Sequence, residues 1–213
     1  MSRPETRAPA LPAGATDAHV HVFDPKRHPY APDAAYRPQP HECGTADDLA
    51  ATLASHGVDR VVIVSPTAGY RDDMRCMLDA VERLRGRARG IARGPLDVSA
   101  RELKRWKARG VSQRGFRALL AAMAGGRCWV KLSGAMRFSR RPPPYADVNR
   151  FVARLLAEGG PGRVVWGSDW PFLRTERRVD YGPMLAQLAA WVPDARQRRC
   201  ILVDASAELY GFG

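Results

Sequence analysis

Two histidines one residue apart, His19 and His21 in "DAHVHVFDP", lie in a run that otherwise reads as a buried strand. Side chains alternate along a strand, so both imidazoles share one face while Ala18, Val20 and Val22 share the other. Paired imidazoles are costly to bury unless something uses them. A second stretch, "VVWGSDWP", ends an apolar run in Gly167-Ser168-Asp169 and is then stopped by Trp170 and Pro171. In a parallel α/β protein the C-terminal ends of the strands line the active face, where Asp169 would stand. Two histidines and an aspartate can ligate a metal ion, or serve as a general base with polarising partners. His19, His21 and Asp169 are therefore the candidate catalytic set.

These side chains need strands to carry them, and the chain alternates in the required way. Strands are expected at 18–23, 60–66, 88–93, 128–134 and 163–169. Helices are expected over 45–57, where Thr45 caps and Gly57 ends the element, and over 71–85, with Met74, Met77, Leu78, Val81 and Leu84 on one side. Further helical patterns cover 99–110, 114–126, 145–160, 180–191 and 195–209, and a long Pro- and Tyr-rich loop fills 24–40. Strand–helix alternation with short connections predicts an α/β fold with a mostly parallel sheet. Residues 1–16 read as a disordered Pro/Ala tail, and 17–213 as one domain.

Of the 34 basic residues only Lys26, Lys104, Lys107 and Lys131 are lysine, and the arginines are scattered. With no nucleic-acid motif and no stacking platform, the net charge of +12 speaks to solubility rather than nucleic-acid binding. No apolar run reaches the ~20 residues of a membrane helix, and the N-terminus lacks an apolar leader segment, so neither membrane nor export is indicated. A cytoplasmic protein acting on a small molecule is the expectation. Cys43, Cys76, Cys128 and Cys200 have no ligand-like spacing and read as free thiols.

Six stretches, "DAHVHVFDP", "HPYAPDAAYRP", "RGIAR", "WVKLSGAMRFS", "RVVWGSDWP" and "ILVDASAELYGF", occur in the order found in the amidohydrolase-related family. The branch it resembles is the one typified by 2-pyrone-4,6-dicarboxylate lactonase. The resemblance implies a (β/α)₈ TIM barrel acting as a hydrolase. It makes Asp169 the base that activates water, and His19 and His21 the strand-one pair that ligates a divalent metal or polarises a carbonyl. Tyr36 and Arg137 match substrate-contacting positions, Arg137 gripping a carboxylate with its planar fork. Lys131 lies on the same strand as the "KLSGAM" motif. No cofactor, or one divalent ion such as zinc held by His19, His21 and Asp169, is implied. His28, His41 and His56 have no motif behind them and read as surface residues.

The chain departs from that pattern. Five strands are legible where a barrel has eight and typically takes about 250 residues. After Val111 the sequence runs straight into a helix of the type preceding the seventh strand, so about three βα units are expected to be missing and the barrel incomplete. A third site histidine goes with them. Phe172 stands where the resemblance would place another histidine, and "DASAELYGF" replaces an Asn-Pro form of the ending. Two readings follow: a hydrolase of small carboxylated cyclic esters, or an inactive, shortened relative that serves at most as a binding protein. Open sheet edges near 88–93 and 128–133 would favour self-association.

Overall fold

The computed structural model describes residues 10–91, 119–120, 122–126, 128–175 and 179–212. Five strands run β1 Thr16–Val20, β2 Arg60–Val64, β3 Ala88–Ile91, β4 Val130–Leu132 and β5 Val164–Trp166. Between and after them lie α1 Ala46–His56, α2 Arg75–Arg83, α3 Asn149–Gly159, α4 Tyr181–Trp191, α5 Ala195–Arg199 and α6 Ala205–Tyr210. The chain is thus α/β. The expected helix at 99–110, the end of the strand expected at 88–93, the start of the helix expected at 114–126, and the junction at Val111 lie outside the described residues.

Each strand pairing is parallel. β2 pairs with β1 and with β3, and β4 pairs with β5. The two sheets meet where Val20 bridges Trp170, just beyond β5. The order across the molecule is therefore β4-β5-β1-β2-β3. The first and last strands in sequence lie side by side at its centre, and no further strand flanks β3 or β4 among the described residues.

Local chemistry explains the boundaries. Thr45 accepts a hydrogen bond from the Asp48 amide, and the Asp48 carboxylate answers at the Thr45 amide, a reciprocal capping box. Gly57 closes α1 in the left-handed conformation. The Asp194 carboxylate caps α5 through the amides of Arg196 and Gln197. Between α5 and α6 the expected continuous helix widens into a π-helical turn over Cys200–Asp204.

The main core joins Val61 and Ile63 of β2 to Leu49, Leu53 and Met77 of α1 and α2. A smaller cluster places Ala18, Val62 and Val165, one residue from each of three central strands, against Ala205 and Phe212. Leu78 does not share the buried face expected for α2. That face centres on Cys76, Met77 and Ala80, which turns Leu78 outward to 55% exposure. Ala15 and Thr16 are fully buried, so ordered packing begins before residue 17. All four cysteines are free thiols. No helix among the described residues is long and apolar enough to cross a membrane.

Candidate active site

The seam between β1 and the segment after β5 is built by backbone pairing. The Asp169 amide donates to the His19 carbonyl and the His21 amide to the Trp170 carbonyl, each at 2.8 Å. Gly167 is needed here because a Cβ at this position would lie 2.3 Å from the His19 Cβ and 2.7 Å from its amide nitrogen. Asp169 adopts φ +68°, a left-handed conformation that aspartate tolerates better than most residues. The strand end thus turns, and the carboxylate faces the two imidazoles.

His21 Nε2 stands 3.6 Å and His19 Nε2 3.9 Å from Asp169 Oδ1. The other oxygen, Oδ2, accepts a hydrogen bond from Arg137 Nε at 2.8 Å. Arg137 also donates to the Leu173 carbonyl, so two contacts hold its guanidinium. His21 Nδ1 lies 2.8 Å from the Val64 carbonyl at the end of β2. A carbonyl can only accept, so Nδ1 carries the proton and Nε2 faces Asp169.

These side chains open onto a cleft of about 450 Å³ lined by His19, His21, Ser133, Gly134, Arg137, Phe138 and Asp169. Three strand ends and the turn after β4 contribute to it. The hydroxyl of Ser133 and Nδ1 of His19 are buried without a hydrogen-bond partner. Polar atoms left so are costly unless a ligand or water answers them.

Charge in the cleft is finely set. Burial would push the Asp169 carboxyl up, but the facing His21 imidazole and the Arg137 guanidinium outweigh it and hold the group below its ordinary 3.8. Asp169 is ionised at neutral pH. Burial, with the Lys131 and His21 charges added, pushes His19 down to about 4. The 3.9 Å approach of His19 to Asp169 therefore joins a neutral ring to a carboxylate and is no ion pair at pH 7. Lys131 is itself pushed down by burial while Asp17 and Asp169 pull it up.

The donor set suits a divalent cation. Candidate ligand atoms of His19, His21 and Asp169 all lie within 4.8 Å of one another. The His21 ring is oriented by a backbone carbonyl in the way metal-binding histidines commonly are. His19, neutral and with an unanswered ring nitrogen, can coordinate without first losing a proton.

Of the six site residues expected from sequence, the structure gathers His19, His21, Asp169 and Arg137 around one cleft. Lys131 does not line that cleft, but it is near enough to influence His19. Tyr36 is elsewhere engaged: its hydroxyl donates to Glu42, and the Arg174 guanidinium lies 4.7 Å from its ring centre. Of the histidines expected at the surface, only His41 is exposed. His28 meets Asp79 at 3.5 Å and His56 packs 4.9 Å from the Tyr181 ring, both half-buried by those neighbours.

Sequence reasoning passed over Asp17. Its fully buried carboxylate accepts from the amides of His19 and Ser168, both at 3.0 Å, and from the Tyr181 hydroxyl at 2.7 Å. It ties β1, the end of β5 and α4 together directly behind the histidines. Burial raises its pKa, and the hydrogen bonds to Ser168 and Tyr181 oppose that rise. The signal was present in the alternation that puts residues 17, 19 and 21 on one face. Nothing local could have singled out Tyr181.

Comparison with known proteins then places the chain. The family model for amidohydrolases matches residues 106–212. The 4-sulfomuconolactone hydrolase of Rhizobium radiobacter is 30% identical over 278 positions, covering 95% of this chain and 91% of that protein. A 2-pyrone-4,6-dicarboxylate hydrolase of Comamonas testosteroni is 26% identical over 283 positions, covering 94% and 91%. A solved structure from Pseudomonas putida carrying the name 2-pyrone-4,6-dicarboxylic acid hydrolase superposes with a TM-score of 0.75 at 23% identity, covering 95% of this chain and 99% of that one.

Proposed function

Because the chain belongs to the amidohydrolase family, we propose that its cleft hydrolyses a small lactone bearing at least one anionic substituent. The observation that carries this reading is the convergence of His19, His21 and Arg137 on the ionised carboxylate of Asp169 at the C-terminal ends of parallel strands. Both sequence relatives are named as hydrolases, one of a sulfonated muconolactone and one of a pyrone dicarboxylate, which supports an anionic cyclic ester as substrate.

The chemistry follows from the charges. Asp169 accepts a proton from a water positioned against the lactone carbonyl. The water oxygen bonds to the carbonyl carbon, the ring C–O bond breaks, and the proton held on Asp169 passes to the departing alkoxide. Its depressed pKa makes Asp169 a modest base that is fully ionised at neutral pH. His19 and His21 border the place where oxyanion charge develops, and Arg137 both orients Asp169 and offers its remaining donors to a substrate carboxylate. His19, His21 and Asp169 would hold a divalent cation such as zinc, which when bound would polarise the carbonyl.

The same reading takes the fold to be a shortened TIM barrel. An alignment of 278 positions against 213 residues leaves at least 65 positions of the relative without a counterpart. Placed between β3 and β4, that length corresponds to about the three βα units that a five-strand arc lacks. Loss of charge-stabilising donors with those units should cost about 10²–10³ in rate for each donor, so turnover should be slow. The test is hydrolysis of 2-pyrone-4,6-dicarboxylate by the wild type and by Asp169→Asn, each with and without added zinc. Slow turnover abolished in the variant supports the reading. Wild-type turnover that survives the substitution, or none under either condition, refutes it.

A further inference from the structure

Phe138 stands on the turn that follows β4, where it lines the cleft and is 61% exposed. Single exposed apolar residues are ordinary on a protein surface, so exposure alone says little. Its place says more. The other large apolar side chains exposed among the described residues, Leu78, Phe151 and Leu209, lie on α2, α3 and α6 and do not line the cleft. The Arg150 guanidinium covers the Phe151 ring at 4.8 Å, whereas no ring or guanidinium stacks on Phe138 among the described residues.

The backbone fixes where the Phe138 ring stands. Gly134, left-handed at φ +66°, turns the chain so closely past the base that a Cβ there would lie 3.7 Å from Asp169 Oδ2. The Phe138 and Ser139 amides both donate to the Ala135 carbonyl, and Arg137 is held by Asp169 and the Leu173 carbonyl. Phe138 is thus placed by its neighbours' hydrogen bonds, not by burial in the core. The other side chains lining the cleft are polar or charged, so this ring is its one apolar face among the described residues. Polar groups fix the substituents of a ligand, and an aromatic face adds a stacking contact with a flat π-system that a puckered saturated ring cannot match.

We propose that Phe138 is a specificity-determining residue: its ring stacks on the face of a flat, conjugated ligand ring, so the cleft selects an unsaturated cyclic ester over a saturated one of equal charge. The inference rests on the cleft being the substrate site and names the class of ring that site takes.

The experiment is calorimetric titration of the full chain with benzene-1,3-dicarboxylate and with cis-cyclohexane-1,3-dicarboxylate. The two carry the same charges on a six-membered carbon ring, and the saturated ring is no less apolar, so burial alone would not favour the flat one. The wild type should bind the flat ligand about five- to tenfold more tightly. Phe138→Leu keeps an apolar side chain but should reduce the preference below about twofold, and Phe138→Tyr, which keeps the ring, should retain it. Phe151→Leu, on α3, should leave it unchanged. Circular dichroism confirms that each variant folds. With 2-pyrone-4,6-dicarboxylate as substrate, Phe138→Leu should raise KM several-fold and leave kcat within about twofold, the pattern of a lost binding contact. The proposal is overturned if the wild type shows no preference, if Phe138→Leu retains it, or if Phe151→Leu loses it equally. Turnover without any preference between the two rings defeats this inference alone. A wild type that neither binds these ligands nor hydrolyses the pyrone defeats the cleft reading along with it.

Discussion

The seam between β1 and β5 and the outer flanks at β3 and β4 are built very differently. At the seam Asp17 meets two amides and a tyrosine hydroxyl, and the Asp169 and His21 amides meet carbonyls across the gap. The buried side chains there, Ala18, Val20 and Val165, are almost wholly removed from solvent. On the flanks, Ile91 and Val130 are only half-buried, and Arg89 and Gly90 separate the two apolar positions of β3. The difference teaches where the chemistry can survive. Of His19, His21, Asp169 and Arg137, the first three need only strands β1 and β5 and the hydrogen bond to β2 to stand together.

The contrast is broken most severely at Asp17. Replacing it by alanine strands two amides and the Tyr181 hydroxyl in a buried place. With about 1–3 kcal/mol for each such group, partly offset by relaxation, a loss of about 3–5 kcal/mol is expected. Urea denaturation checks this, and a loss below about 1 kcal/mol would mean the seam is not held as described.

A pH dependence follows from His19. Its folded value of about 4 lies below the unfolded 6.5, so between those values the unfolded state binds the extra proton. The contribution is complete above pH 6.5 and is lost as pH falls toward 4, on the order of 2 kcal/mol. Thermal denaturation across that window should show the slope in the wild type and a shallower one in His19→Asn.

Smaller effects sharpen the comparison. Val165→Ala, in the packed seam, should cost about 1.5–2.5 kcal/mol, whereas Ile91→Ala on the flank should cost less than about 1 kcal/mol, because a half-buried site leaves a smaller cavity. Equal costs would erase the distinction. At the flanks themselves we propose association: sedimentation at increasing concentration should show self-assembly through β3 or β4, and a monodisperse monomer throughout would count against it.

Much of this was legible in the sequence, for reasons that can be named. The His19–His21 spacing and the abrupt end of the β5 run at Asp169 are local patterns, and parallel topology then dictates that strand ends converge. The capping box at Thr45 and the stop at Gly57 are equally local, and α1 begins and ends there. Leu78 was misjudged because helical spacing gives a stripe about 100° wide without saying where its centre lies. For Tyr36, which the family resemblance placed against substrate, the hydroxyl donates to Glu42 from the same loop. Tyr181 and the Val64 carbonyl, which orient the site, are 164 and 43 residues from their partners, beyond any local pattern.

That the seam is held more firmly than the flanks is tested most directly by native-state amide hydrogen exchange. The account predicts that the amides of His21 and Asp169, bonded across the seam, exchange only through global unfolding. The Ser65 amide, which donates to Ile91 at the β3 flank, should open at a free energy lower by at least about 1 kcal/mol. If the His21 and Asp169 amides exchange as fast as that of Ser65, the seam is no more stable than the flanks and the account is contradicted.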